Sequence, residues 1–142
     1  MRLWFGILMV AAAGFTLAGC NKPKKDCEGS YKSYQHALDG HDWDAMYELL
    51  TPEFQKKTRS ADRFGRVMEQ NWQGAKSFRF TTDNVAETKS GVCTVQGDMK
   101  WTTKIRGASA YDTEEYFSWT FRQGKDGLWR IELPGSEKIS AF

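Results

Sequence analysis

The sequence predicts an α+β domain, with N-terminal helices packed on a four-stranded antiparallel meander sheet. Three observations lead there. Apolar residues recur at helical spacing as far as Trp72. From Ser77 onward the period changes to two. An apolar leader ending at Cys20 sets this pattern apart as one unit, helices first and strands after.

The helices follow from spacing and caps. Cys27, Tyr31, Tyr34 and Leu38 form one buried stripe, predicting a helix over Asp26–Asp39, with Gly40 suited to the left-handed residue that closes it. Asp42 is a good N-cap for a second helix with Trp43, Met46, Tyr47 and Leu50 on one side. Thr51-Pro52 opens a short third helix carrying Phe54. Ser60 caps a fourth, with Phe64, Val67, Met68 and Trp72 on its apolar face, and Gly74 ends it.

In the strands, Val95, Met99, Trp101 and Ile105 share one face, as do Tyr111, Phe117, Trp119 and Phe121, and then Trp129, Ile131 and Leu133. Pairing Ile105 with Tyr111 sets Met99 against Phe117, Gly97 against Trp119 and Trp101 against Glu115, with Gly97 leaving room for the indole. Gly124-Lys125-Asp126-Gly127 fits a type I turn closed by a left-handed Gly127. Phe78 and Phe80 set one parity and Val85 the other, so a bulge is expected near Thr82–Asn84.

Met1–Gly19 has the parts of a secretory signal: Arg2, an apolar run from Leu3 to Leu17, then small residues. The run is short for a transmembrane helix, the alternative reading. Leu17-Ala18-Gly19-Cys20 resembles the lipobox of bacterial lipoproteins. That resemblance implies cleavage before Cys20, diacylation of its sulfur and usually acylation of its new amine. Buried acyl chains contribute about 0.8 kcal/mol per CH₂, so two or three hold a protein on a membrane nearly permanently. Asn21, rather than Asp, after the cysteine implies the outer membrane, facing the periplasm. The expected organisation is a signal peptide at 1–19, a lipidated cysteine with a basic tether at 20–25, and a domain at 26–142. The tether reads as a solvated spacer, or as a contact for anionic head groups.

The net charge of +2 over 142 residues turns slightly negative once Arg2 and the tether lysines are set aside, which argues against a nucleic-acid partner. An aromatic content of 14% supplies a real core. With Cys20 acylated, Cys27 and Cys93 remain in an oxidising compartment, both on core-facing positions. They are expected to form a disulfide; two buried free thiols are the alternative.

The run Ala37-Leu38-Asp39-Gly40-His41-Asp42-Trp43-Asp44-Ala45-Met46-Tyr47-Glu48-Leu49-Leu50-Thr51-Pro52-Glu53-Phe54 resembles the opening of NTF2-like (cystatin-like, SnoaL-like) domains. That resemblance implies a curved sheet wrapping the helices into a cone with a pocket at its open end. Members include ketosteroid isomerases, dehydratases, polyketide cyclases and non-catalytic binding domains, so fold alone does not select a function. Enzymes of this kind place an Asp, His or Tyr inside the cone, where burial shifts its pKa. The best inward-facing candidate is Glu115, with Tyr34, Trp101, Thr103 and Thr113 around it; the alternative is that the sheet outruns the helices and Glu115 is solvated.

No nucleophile or phosphate-loop motif is present, so catalytic residues are not assigned and no cofactor is expected. His36 and His41 lack a metal-ligand spacing, and no metal site is expected. The leading expectation is a non-catalytic lipoprotein binding a small apolar ligand or an envelope protein, with a homodimer possible through the sheet face bearing Lys100, Lys104, Tyr116 and Thr120. The alternatives are an isomerase- or dehydratase-type enzyme using Glu115 or Asp98, and a purely structural envelope component.

Overall fold

A computed structural model describes residues 21–132; the leader, Cys20 and Leu133 lie outside the described residues. The order is four helices, α1 (Cys27–Asp39), α2 (Trp43–Glu48), α3 (Pro52–Thr58) and α4 (Ala61–Asn71), then four strands, β1 (Ala75–Glu87), β2 (Val92–Thr103), β3 (Tyr111–Gln123) and β4 (Trp129–Glu132). The strands form one antiparallel sheet in the order β1-β2-β3-β4, with the helices on one face. The fold class is the α+β arrangement the sequence predicts.

The caps act as their residue types require. Asp26 accepts from Gly29 N at 2.6 Å, Asp42 from Ala45 N at 3.1 Å and Ser60 from Arg63 N at 3.2 Å. The end of α1 differs from expectation. Gly40 keeps a right-handed φ of −81°, and His41 takes the left-handed turn with φ 52°. Gly40 N bonds His36 O and His41 N bonds Leu38 O, so the chain turns one residue later.

The disulfide between Cys27 and Cys93 is present, with a Cα–Cα distance of 6.5 Å. It joins the first residue of α1 to the second residue of β2. Around it, Leu38, Met46, Leu49, Leu50, Phe64, Val95, Phe121 and Ile131 complete a core with almost no exposure.

The bulge lies where parity demands it, between Thr82 and Asn84, and a second register shift falls between Lys76 and Arg79, with Ser77 at φ 58°. The turn after β3 is also as expected: Gly127 N bonds Gly124 O at 2.9 Å, and Gly127 has φ 77°.

The β2–β3 register is corrected by two residues. Thr103, not Ile105, pairs with Tyr111; Met99 meets Glu115, Trp101 meets Thr113 and Gly97 meets Phe117. The cause is tertiary. Lys104 N donates to Gly74 O at 2.9 Å, and Ala108 N closes on Ile105 O, so the hairpin loop begins earlier. A slip of two preserves which face each residue occupies. Ile105 and Tyr111 are nonetheless outside the core, 47% and 54% exposed. Gly97 serves a different neighbour as well: a Cβ there would stand 2.0 Å from Thr81 O, in the bulged stretch of β1.

The outer edge of β4 is occupied. Ile131 N bonds Leu49 O, Thr51 N bonds Ile131 O and Trp129 N bonds Lys24 O, at 2.8–3.0 Å. Main chain from the α2–α3 junction and from the segment before α1 therefore covers an edge that strand pairing alone would leave open.

Candidate functional site

On the helix-covered face of the sheet, where a pocket is expected, aromatic rings stand in contact. Tyr34 meets Trp119 edge-on at 4.8 Å, and Trp119 stacks on Phe117 at 4.0 Å. Phe80 contacts Trp119 at 5.9 Å and stacks against Phe78 at 6.2 Å. Phe78 stacks on Trp101 at 5.9 Å, and Trp101 meets Trp72 edge-on at 5.3 Å. The edge-to-face pairs Tyr34–Trp119 and Trp72–Trp101 have a preferred geometry, which contributes about 0.5–1.5 kcal/mol each beyond burial.

The five candidate pocket residues separate accordingly. Tyr34 and Thr103 are buried, while Trp101 and Thr113 are half-buried and cross-strand partners. Glu115 keeps its inward parity but is exposed; among the described residues β4 pairs only with Thr120–Gln123, so β3 is the edge of the sheet at that level. Burial pushes the Tyr34 phenol well above its ordinary value, so its hydroxyl stays protonated. Asp98, the other carboxylate considered, lies half-buried on β2 opposite Tyr116. Among the described residues the buried polar side chains are Ser30, Ser33, Thr51, Thr58 and Thr103, with no carboxylate or imidazole among them.

A large opening lies elsewhere, beside β4. A groove of about 900 Å³ runs between Lys22–Pro23, the α2–α3 junction and the β3–β4 hairpin. Arg130 lies on its wall and grips Asp126 through both nitrogens, at 3.0 and 2.7 Å; Arg122 pairs with Glu132. Thr51, buried at the start of α3, presents no side-chain cap bond, and its Oγ1 has no hydrogen-bond partner. Sequence reasoning missed this groove, because its walls come from three segments that only the closed β4 edge brings together.

Asp126 gives a direct check on the groove. The Arg130 guanidinium, with Leu128 N also donating, holds its carboxyl at about 2, below the ordinary 3.8. A depressed carboxylate contributes stability above its unfolded pKa and loses it as pH falls through the folded one, so this contribution fades between about pH 4 and pH 2. A carboxyl-carbon NMR titration should find the Asp126 midpoint near 2, moving back toward the ordinary range in Arg130→Ala. An ordinary midpoint in the unaltered protein would contradict the paired geometry.

A second, shallower depression of about 320 Å³ lies between the start of α2 and the start of α4, lined by His41, Asp42, Trp43, Asp44, Asp62 and Arg66 among others. His41 stacks on Trp43 at 4.8 Å, and Trp43 Nε1 donates to Glu69 at 2.7 Å. Among the described residues no group of three His, Cys, Asp or Glu side chains is arranged to hold a metal ion. No helix among them is long and apolar enough to cross a membrane.

No family model matches the chain, and no curated protein matches it. Solved structures do. A ketosteroid isomerase-like protein from Erwinia carotovora atroseptica is similar with a TM-score of 0.60 at 14% identity, over 73% of this chain and 86% of that one. A SEC-C motif containing protein from Rhodopseudomonas palustris gives 0.56 at 17% identity, over 77% of each chain. A chain from Xanthomonas campestris, named for the calcium/calmodulin dependent protein kinase II association domain, gives 0.54 at 14% identity, over 79% and 90%. At these identities the likeness is one of fold alone, shared with the ketosteroid isomerase-like protein and the two other chains.

Proposed function

We propose that the chain is an envelope lipoprotein, held by acyl chains on Cys20 at the outer membrane facing the periplasm. Its NTF2-like domain is a non-catalytic binding module that meets an envelope protein on its outer surface. The observation that carries the binding reading is the run of rings from Tyr34 through Trp119, Phe80, Phe78 and Trp101 to Trp72. It fills the region where a cone-type site would hold an apolar ligand. An enzyme of the isomerase type needs a carboxylate or comparable group shielded from water. Glu115 stands exposed instead, which disfavours that alternative.

The outer surface offers two places for a partner. One is the groove beside the β3–β4 hairpin. The other is the sheet's outer face, where Lys100 pairs with Glu114 at 3.0 Å and Tyr116 is 57% exposed. The same face could serve a second copy of the chain.

The anchor is tested by expressing the full chain and its Cys20→Ser form with radiolabelled palmitate, followed by membrane fractionation. The unaltered chain should carry label and sediment with outer membranes, and Cys20→Ser should carry none and leave them. Unlabelled protein, or membrane association that survives Cys20→Ser, would overturn the lipid anchor.

A further inference from the structure

The segment between Cys20 and α1, expected as a spacer, is part of the fold. Lys24 is held through its main chain on both sides: its N–H donates to Ser30 Oγ at 2.8 Å, and its carbonyl accepts from Trp129 N at 2.9 Å. Ser30 is fully buried. The stem of Lys24 lies against α1 where Gly29 leaves space; a Cβ on Gly29 would come within 2.9 Å of Lys24 Cγ. Lys22 and Pro23 form a wall of the larger groove. Asn21 is half-buried, with its Nδ2 3.4 Å from Asp42 Oδ2 at the start of α2. Consecutive Cα atoms are about 3.8 Å apart. An anchor on the residue before Asn21 is therefore attached one residue from the N-terminus of α2, with no free spacer in between.

Resting on the lipid-anchor reading, we propose that the domain is seated directly on the bilayer, with the depression between the starts of α2 and α4 turned to the phospholipid head groups. The depression contains Asp42, to which Asn21 is bonded. Its lining carries both signs, Asp42, Asp44 and Asp62 beside Arg66, which suits a zwitterionic head-group layer that offers an ammonium and a phosphate together. Trp43, half-buried in the same wall, is the residue type that favours head-group depth. The outer groove, walled by Lys22 and Pro23, then opens close to the membrane, which restricts its partner to proteins at that surface.

The test uses full-length, lipidated protein with Gln70→Cys, exposed on α4 one turn beyond Arg66 and outside the depression's lining, labelled by a small fluorophore. Acylation of Cys20 and the Cys27–Cys93 bond leave the new thiol as the labelling site. The protein is reconstituted in zwitterionic phosphatidylethanolamine–phosphatidylcholine vesicles containing a lipid with a nitroxide on its head group. A second version adds a ten-residue Gly/Ser insert between Asn21 and Lys22, a flexible linker of roughly 18 Å root-mean-square length. The insert lies upstream of the Lys24–Trp129 bond and the disulfide, so both versions should show the same circular dichroism. Quenching should be several-fold stronger without the insert than with it. Equal quenching in two membrane-bound versions would overturn the seating and leave the anchor standing. If membrane binding is missing, or is unaffected by Cys20→Ser, the anchor fails and the seating with it.

Discussion

Cys93→Ser is expected to lower the stability of the domain by about 4 kcal/mol, the chain-entropy value for a bridge spanning this much sequence. Cys27 and Cys93 are separated by 66 positions, so the bond closes more than half of the described chain into one loop. A domain of this size has about 5–15 kcal/mol in total, so the loss is a large part of what holds it folded. The location adds to the effect. Cys93 is fully buried and Cys27 nearly so, and the bond links the start of α1, where Lys24 and Ser30 are also joined, to a central strand. Urea unfolding with and without reductant, followed by tryptophan fluorescence, should show a large fall in midpoint on reduction. Serine at position 93 should reproduce it in the oxidised sample. Matching midpoints in all samples would mean that packing alone closes the loop.

Trp119→Ala is expected to cost about 3–5 kcal/mol, the range for removing a buried aromatic side chain. Trp119 is 5% exposed and touches Phe117, Tyr34 and Phe80, so its loss opens a space ringed by other aromatic groups. A cavity lined by apolar groups stays dry and accepts a small apolar molecule. Indole should therefore raise the urea midpoint of Trp119→Ala and leave the unaltered protein unchanged. A nearly neutral substitution, or equal stabilisation of both proteins by indole, would mean that the cone already holds open space.

Much of this fold is legible in the sequence, because its signals are local. Asp26, Asp42 and Ser60 announce helices by their side-chain chemistry, and all three accept the capping bond. The change of parity between Phe80 and Val85 locates the bulge, since a period of two tolerates no other repair. The β2–β3 register was not legible. A slip of two leaves every side chain on its own face, so hydrophobic patterning cannot distinguish Ile105 from Thr103 as the partner of Tyr111. The deciding contact, Lys104 N to Gly74 O, connects the hairpin to the end of α4.

The candidate site was less legible, for related reasons. Parity places Glu115 on the inner face, but its burial depends on what lies beside β3, and among the described residues β4 reaches only Thr120–Gln123. The segment after Cys20 reads as solvated because of its lysines, yet Lys24 is held by its backbone and stem rather than its charge. One clue was present. Ser30 lies three residues after Cys27 and four before Tyr34, on the buried stripe, where a polar side chain requires a partner. That partner is Lys24.

Native mass spectrometry of the lipidated protein, released from its own envelope in mild detergent, distinguishes an interior packed with the protein's own aromatic rings, with binding outside it, from an interior that holds a ligand. The expected spectrum shows the cleaved, acylated chain with no small-molecule adduct, together with a complex containing an envelope protein. A stoichiometric apolar molecule that stays with the chain at collision energies that strip detergent, and is lost on Trp101→Ala, would contradict the account and return the function to the cone.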